Sequence, residues 1–102
     1  LDIFHGLLFM SEFDKYIKLT ELVEVLNKEH NIRIKKPTLY YYNNCGLIEK
    51  DLEFGGMHFF DKEKVIKKIK LIKTMQRGGL SIREIQEKFN EIKYKIKNEN
   101  NK

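Results

Sequence analysis

Residues 38–50, "TLYYYNNCGLIEK", set three tyrosines in a row between a proline and a glycine. Pro37 suits a first helical turn and pushes Lys36 extended before it. Gly46 suits the left-handed position just past a helix end. The residues between them read as a short helix over 37–44. At about 100° per residue, Leu39 and Tyr42 share one face, and Leu39 must meet the core. Pro37, Tyr40, Tyr41 and Asn44 fall on the opposite face, with Lys36 and Asn43 along one edge and Thr38 along the other. One tyrosine therefore belongs to the interior and two point out beside Lys35 and Lys36. Phenol hydroxyls can donate to phosphate oxygens, rings can pack on sugars or thymine methyls, and lysines neutralise phosphate charge. That makes 37–44 a recognition helix. The alternative is that Tyr40 and Tyr41 pack beneath the following hairpin or the N-terminal segment.

Working outward, "LIEK" (47–50) reads as a short strand, "DLEFGG" (51–56) as a turn in which Gly55 and Gly56 supply positive φ, and "MHFF" (57–60) as the return strand. Such a hairpin cannot stand alone and must lean on helices. Upstream, Leu19, Leu22, Val23 and Leu26 recur at helical spacing after a start at Thr20, and "NKEHNIRIK" (27–35) forms a polar connection. Downstream, Asp61 caps a third helix whose buried stripe is Val65, Ile66, Ile69, Ile72 and Met75. Lysines fill its remaining faces. Arg77-Gly78-Gly79 ends it. "SIRE" then forms a capping box, Ser81 at the N-cap and Glu84 three residues on. The fourth helix carries Ile82, Ile85, Phe89, Ile92 and Ile96, a seam of about two heptads. Ile82, Ile85 and Phe89 suffice to dock this helix. Ile92 and Ile96 are surplus, and are expected to meet a second copy, with the apolar N-terminus joining them. The tail "NENNK" is polar and expected to fray.

The chain has 102 residues, enough for one domain and one modest core. Its 20 Lys+Arg against 15 Asp+Glu leave a net charge of +5, which suits a polyanionic partner. The single cysteine, Cys45, excludes an intramolecular disulfide and a cysteine-cluster metal site, and fits a reducing cytoplasm. It reads as a small, partly buried structural residue. No apolar stretch approaches the roughly 20 residues of a membrane span. "LDIFHGLLFM" has neither a basic leader nor a small-residue cleavage site, so it makes a poor signal peptide. His5, His30 and His58 lack metal-ligand spacing, and no cofactor is expected. No nucleophile–base pair, flanking carboxylates or phosphate-cradling glycine loop emerges, so the chain is not expected to be an enzyme.

The order helix, short helix, hairpin, helix, helix matches a winged helix-turn-helix: a mainly α fold of about four helices with a two-stranded β-hairpin wing. The pieces "LTELVEVL", "TLYYYNNCGLI" and "GGMHFFDKEKVIKKIKLIKTMQRGGLSIREIQEKF" resemble, in order, the DNA-binding domain of the MerR family. In that family the corresponding pattern runs T-L-R-Y-Y-E-x-x-G-L, G-Y-R-x-Y and G-x-S-L-x-E-I. The resemblance spans residues 16–89, leaving 1–15 as an N-terminal extension and 90–102 as a helix extension with a polar tail. It implies a transcription regulator gripping promoter DNA as a homodimer, through the helix 37–44 and a wing over 47–60. It also implies RNA polymerase or another protein as a further partner. The DNA-binding residues implied are Lys35, Lys36, Thr38, Tyr40, Tyr41 and Asn44 on the helix, with Lys50 and His58 on the wing. Ile92 and Ile96 are expected at the dimer contact. The family's arginines in these motifs are Tyr40 and His58 here, and the wing reads Lys50, Asp51, Glu53. Those departures keep two other readings open: an excisionase-like accessory that bends DNA, and a protein-interaction module that has lost DNA binding.

Overall fold

The computed structural model describes residues 15–100, with side chains over 15–97. The expectations for the N-terminal extension, including His5 and its share in a dimer contact, lie outside these residues. The elements are β1 (Tyr16–Lys18), α1 (Leu19–Glu29), α2 (Lys36–Asn44), β2 (Leu52–Phe54), β3 (Met57–Asp61), α3 (Lys62–Arg77) and α4 (Ile82–Asn100). The protein is mainly helical, with a small antiparallel sheet ordered β1-β3-β2. Its described residues divide into two compact units, one up to Lys68 and one from Ile69.

In the first unit, α1 packs on α2, β1 and β3. Its buried face is Leu19, Leu22 and Leu26. Leu39 and Tyr42 on α2 and Phe60 on β3 are likewise sealed from solvent. Each fully buried side chain of this size contributes about 1.5–3 kcal/mol. Asn27 pins the connection between α1 and α2. Its amide donates to the Ile34 carbonyl at 3.2 Å, and its carbonyl accepts from the Ile34 N–H at 3.4 Å. Ile34, 6% exposed, is thereby held in the core despite lying in a polar stretch.

Two expectations about the hairpin need correction. "LIEK" is not a strand. The Gly46 N–H donates to the Asn43 carbonyl at 3.3 Å and the Leu47 N–H to the Tyr42 carbonyl at 2.9 Å, with Gly46 at φ 77°. That pattern closes the end of α2. It takes up the amides a ladder would need and drives Leu47 and Ile48 into the core, 0% and 1% exposed. The strand falls instead at Leu52–Phe54, inside the expected turn. Leu52 pairs with Phe59, Glu53 with His58 and Phe54 with Met57. The turn shrinks to Gly55-Gly56, with φ 58° and 78°. Two consecutive positive φ values suit a two-residue hairpin loop whose twist matches the strands. The sheet also has three strands rather than two, because Tyr16, Ile17 and Lys18 pair with Asp61, Phe60 and Phe59.

Several local signals appear as expected. Pro37 lies in the first turn of α2, although Lys36, expected to be extended before it, is the first helical residue and Lys35 takes the extended cap position. The Lys64 N–H donates to the Asp61 carboxylate at 3.2 Å, capping α3. In the second unit, the Gly79 and Leu80 amides close the end of α3 on the Gln76 and Met75 carbonyls at 3.0 and 3.1 Å. The capping box forms as two reciprocal bonds: Glu84 N–H to Ser81 Oγ at 3.2 Å and Ser81 N–H to Glu84 Oε1 at 3.1 Å. The Ser81 N–H and hydroxyl hold the Glu84 carboxyl below its ordinary pKa. Ile69, Ile72 and Ile85 are fully buried, and α4 runs to Asn100, into the polar tail that begins at residue 98. Among the described residues, no helix is long and apolar enough to cross a membrane.

Candidate nucleic-acid interface

The surface to weigh begins with α2. Leu39 and Tyr42 are buried at 0% and 1% exposure, while Tyr40 and Tyr41 are exposed at 41% and 53%. The helix turns two phenols outward because its inner face is completed by one leucine and one tyrosine at a spacing of three. The Lys36 ammonium lies 5.7 Å from the centre of the Tyr40 ring, close enough for a cation–π attraction. Lys35, Lys36 and Asn44 are exposed, and Thr38 is half-buried. The Tyr41 ring stands 6.4 Å from that of Tyr42, tilted by 50°. Cys45 is half-buried, and its thiol donates to the Tyr41 carbonyl at 2.8 Å, a local bond at the helix end.

A cleft of 320 Å³ opens between this helix, the start of α1 and the hairpin turn. It is lined by Lys18, Leu19, Thr20, Tyr40, Asn43, Asn44, Gly56, Met57 and His58. It unites three expected site residues, Tyr40, Asn44 and His58. It also adds Lys18, Thr20, Asn43 and Met57, which sequence reasoning did not assign to the site. Most of these additions are hydrogen-bond donors. Lys50 lies elsewhere, in a smaller depression of 130 Å³ with Asp51 and Lys64.

The hairpin's charges are organised around one carboxylate. Glu53 meets the Lys50 ammonium at 3.0 Å and His58 Nε2 at 3.3 Å. On the other side of the imidazole, the Asn43 amide nitrogen stands 3.1 Å from His58 Nδ1. An amide nitrogen can only donate, so in this arrangement Nδ1 is the acceptor and Nε2 is the nitrogen that faces Glu53. The result is a continuous chain from α2 through β3 to β2 and Lys50. Lys50 foremost, by hydrogen bond and charge, and His58 to a lesser degree hold the Glu53 carboxyl below its ordinary pKa. The linkage sign follows: the stabilisation is present above the ordinary glutamate range and is lost as acidification passes through the lowered pKa. Near neutral pH the carboxylate stays charged and keeps its partners. Asp51 is similarly engaged, accepting from the Asp61 N–H at 2.8 Å and facing the Lys64 ammonium at 3.4 Å.

Lys50 and His58, the phosphate contacts expected on the hairpin, therefore both face Glu53. A cross-strand Glu53–His58 pair becomes legible only once the hairpin register is known. With 51–56 taken as a turn, that pair cannot be seen. Of the expected dimer contacts, Ile92 and Ile96 are exposed at 50% and 54%, with Tyr94 between them at 68%. Among the described residues, no three His, Cys, Asp or Glu side chains gather as metal ligands. Comparisons with family models, with curated proteins and with solved structures returned no match for this chain.

Proposed function

We propose that this chain is a DNA-binding regulator of MerR type, with a winged helix-turn-helix in which α1 and α2 form the helix pair and β2–β3 the wing. The observation that carries this reading is the split of α2 into a sealed face, Leu39 and Tyr42, and an outward face bearing Tyr40 and Tyr41 beside exposed Lys35 and Lys36. Helix 36–44 enters the major groove, where lysines and phenols hold phosphates and Asn44 reaches base edges. Promoter DNA is gripped by two copies, joined through Ile92 and Ile96. Two heptads are marginal for a coiled coil alone. The dimer contact is thus the part most exposed to test: sedimentation of the full native chain at tens of micromolar should show a dimer, and a monomer there removes this part of the proposal.

A salt titration on duplex DNA tests the binding itself. Log affinity should fall linearly with log salt, by about 0.9 for each phosphate neutralised. Tyr41→Ala and Lys36→Ala should each weaken binding, and Lys70→Ala should not. Equal losses for all three would reduce the effect to nonspecific charge, and no measurable affinity would end the DNA reading. The wing supplies a sharper test. Glu53→Gln keeps an acceptor for His58 but removes the charge holding Lys50. DNA affinity should rise, and the salt slope should steepen by about 0.9 as Lys50 becomes available to a phosphate. Unchanged affinity would leave Lys50 without a phosphate contact.

A specific observation favours a second reading, the protein-interaction module. Lys50 and His58 are turned to Glu53, while Leu52, Phe54 and Met57 on the same hairpin are exposed at 48%, 79% and 46%. The absence of any salt-dependent duplex binding would favour that reading over the first.

A further inference from the structure

The hairpin has two unlike faces. Strand alternation and the register put Glu53 and His58 on one face, and Leu52, Phe54, Met57 and Phe59 on the other. Phe54 and Met57 are directly opposite each other and flank Gly55-Gly56. The space around both glycines is open: apart from each glycine's own chain neighbours, no atom lies within 4 Å of where a Cβ would stand. The tip is therefore only as thick as its backbone, and a phenyl ring and a thioether chain stand at its base. Phe54, at 79%, is the most exposed large apolar side chain among those described.

From this geometry we infer that the wing tip is an apolar wedge for the DNA minor groove, with Phe54 as the inserted ring and Met57 as its support. The inference rests on the DNA-binding reading and replaces a phosphate-gripping wing with a steric one. Three features select DNA as the occupant. The carboxylates that would repel it are matched, Glu53 by Lys50 and Asp51 by Lys64. The cleft beside the tip joins Met57 to Lys18, Thr20, Tyr40, Asn43 and Asn44, groups that donate to phosphate and to groove acceptors. The Asn43–His58 bond ties the wing to α2, so a tip entering the minor groove and a helix entering the major groove would share one alignment. Phenylalanine and methionine are among the side chains that unstack base steps from the minor groove and kink the duplex.

The test uses the full chain with short mixed-sequence duplexes carrying 2-aminopurine, read by fluorescence for unstacking and by end-to-end energy transfer for bending. The wild type should raise the 2-aminopurine signal and shorten the end-to-end distance. Phe54→Ala should abolish both and weaken binding about tenfold, the loss of one aromatic–base contact, with the salt slope unchanged. Phe54→Trp should retain the unstacking. The ring is largely in solvent, so Phe54→Ala should leave the melting curve and the sedimentation profile unaltered, and a shift in either would mean that this face packs on protein and overturn the inference. Equal unstacking by wild type and Phe54→Ala, or steep salt-dependent binding with no unstacking by either, would overturn the wedge and leave the DNA reading standing. No duplex binding by the wild type would bring down both.

Discussion

Tyr42→Ala should cost about 3–5 kcal/mol of stability, the range for truncating a buried aromatic, while its neighbour Tyr41→Ala should stay within about 0.5 kcal/mol, as surface changes do. Tyr42 is 1% exposed and Tyr41 53%. Removing the Tyr42 ring opens a cavity beneath α2. The backbone carbonyl of residue 42, which receives the Leu47 and Ile48 amides at 2.9 and 3.3 Å, is kept in the variant, so the loss is that of the buried ring. Domains of this size have only about 5–15 kcal/mol in total, so the variant should lose a large share of its stability. Tyr41 loses only a tilted contact with the Tyr42 ring, and its carbonyl bond to Cys45 is untouched by the substitution. The measurement is urea unfolding followed by circular dichroism. Duplex affinity is measured separately, where Tyr41→Ala should be the defective protein of the two among folded molecules. Similar destabilisation by both variants would mean that α2 has no outward face.

The second large effect is electrostatic. The double variant Lys35→Ala, Lys36→Ala should reduce the salt slope of duplex binding by about 1.8. If the electrostatic term vanishes near 1 M salt, each lysine accounts for about tenfold at 0.1 M. The pair should then weaken binding roughly a hundredfold, with the unfolding curve nearly unmoved. Lys36 gives up an exposed cation–π contact with Tyr40, worth about 0.5–1 kcal/mol. Lys70→Ala, on the exposed side of α3, is the matched control. A loss as large in the control as in the double variant would show that overall charge, rather than this helix, governs the affinity.

The two effects separate because they act on opposite sides of one helix, and that division was legible in "TLYYYNNCG". Pro37, the Leu39–Tyr42 spacing and Gly46 are satisfied within the helix and its cap, so neighbouring residues specify them. The same holds for Asp61 and for the Ser81–Glu84 box, whose partners lie three residues away. Other features depend on partners far along the chain. β1 is three residues long, too short to display alternation, and exists because β3 lies beside it. The β2 register was hidden because Leu47 and Ile48 look like strand residues, yet their amides close a helix. The Asn27 bracket on Ile34, the Asn43–His58–Glu53–Lys50 chain and the cleft around Lys18 and Met57 were equally invisible. Short-range hydrogen bonding and helical periodicity are written into adjacent residues. Strand pairing, cross-strand contacts and cavities exist only after remote segments meet, so folding, rather than local order in the chain, brings His58 to Glu53 and leaves Phe54 exposed.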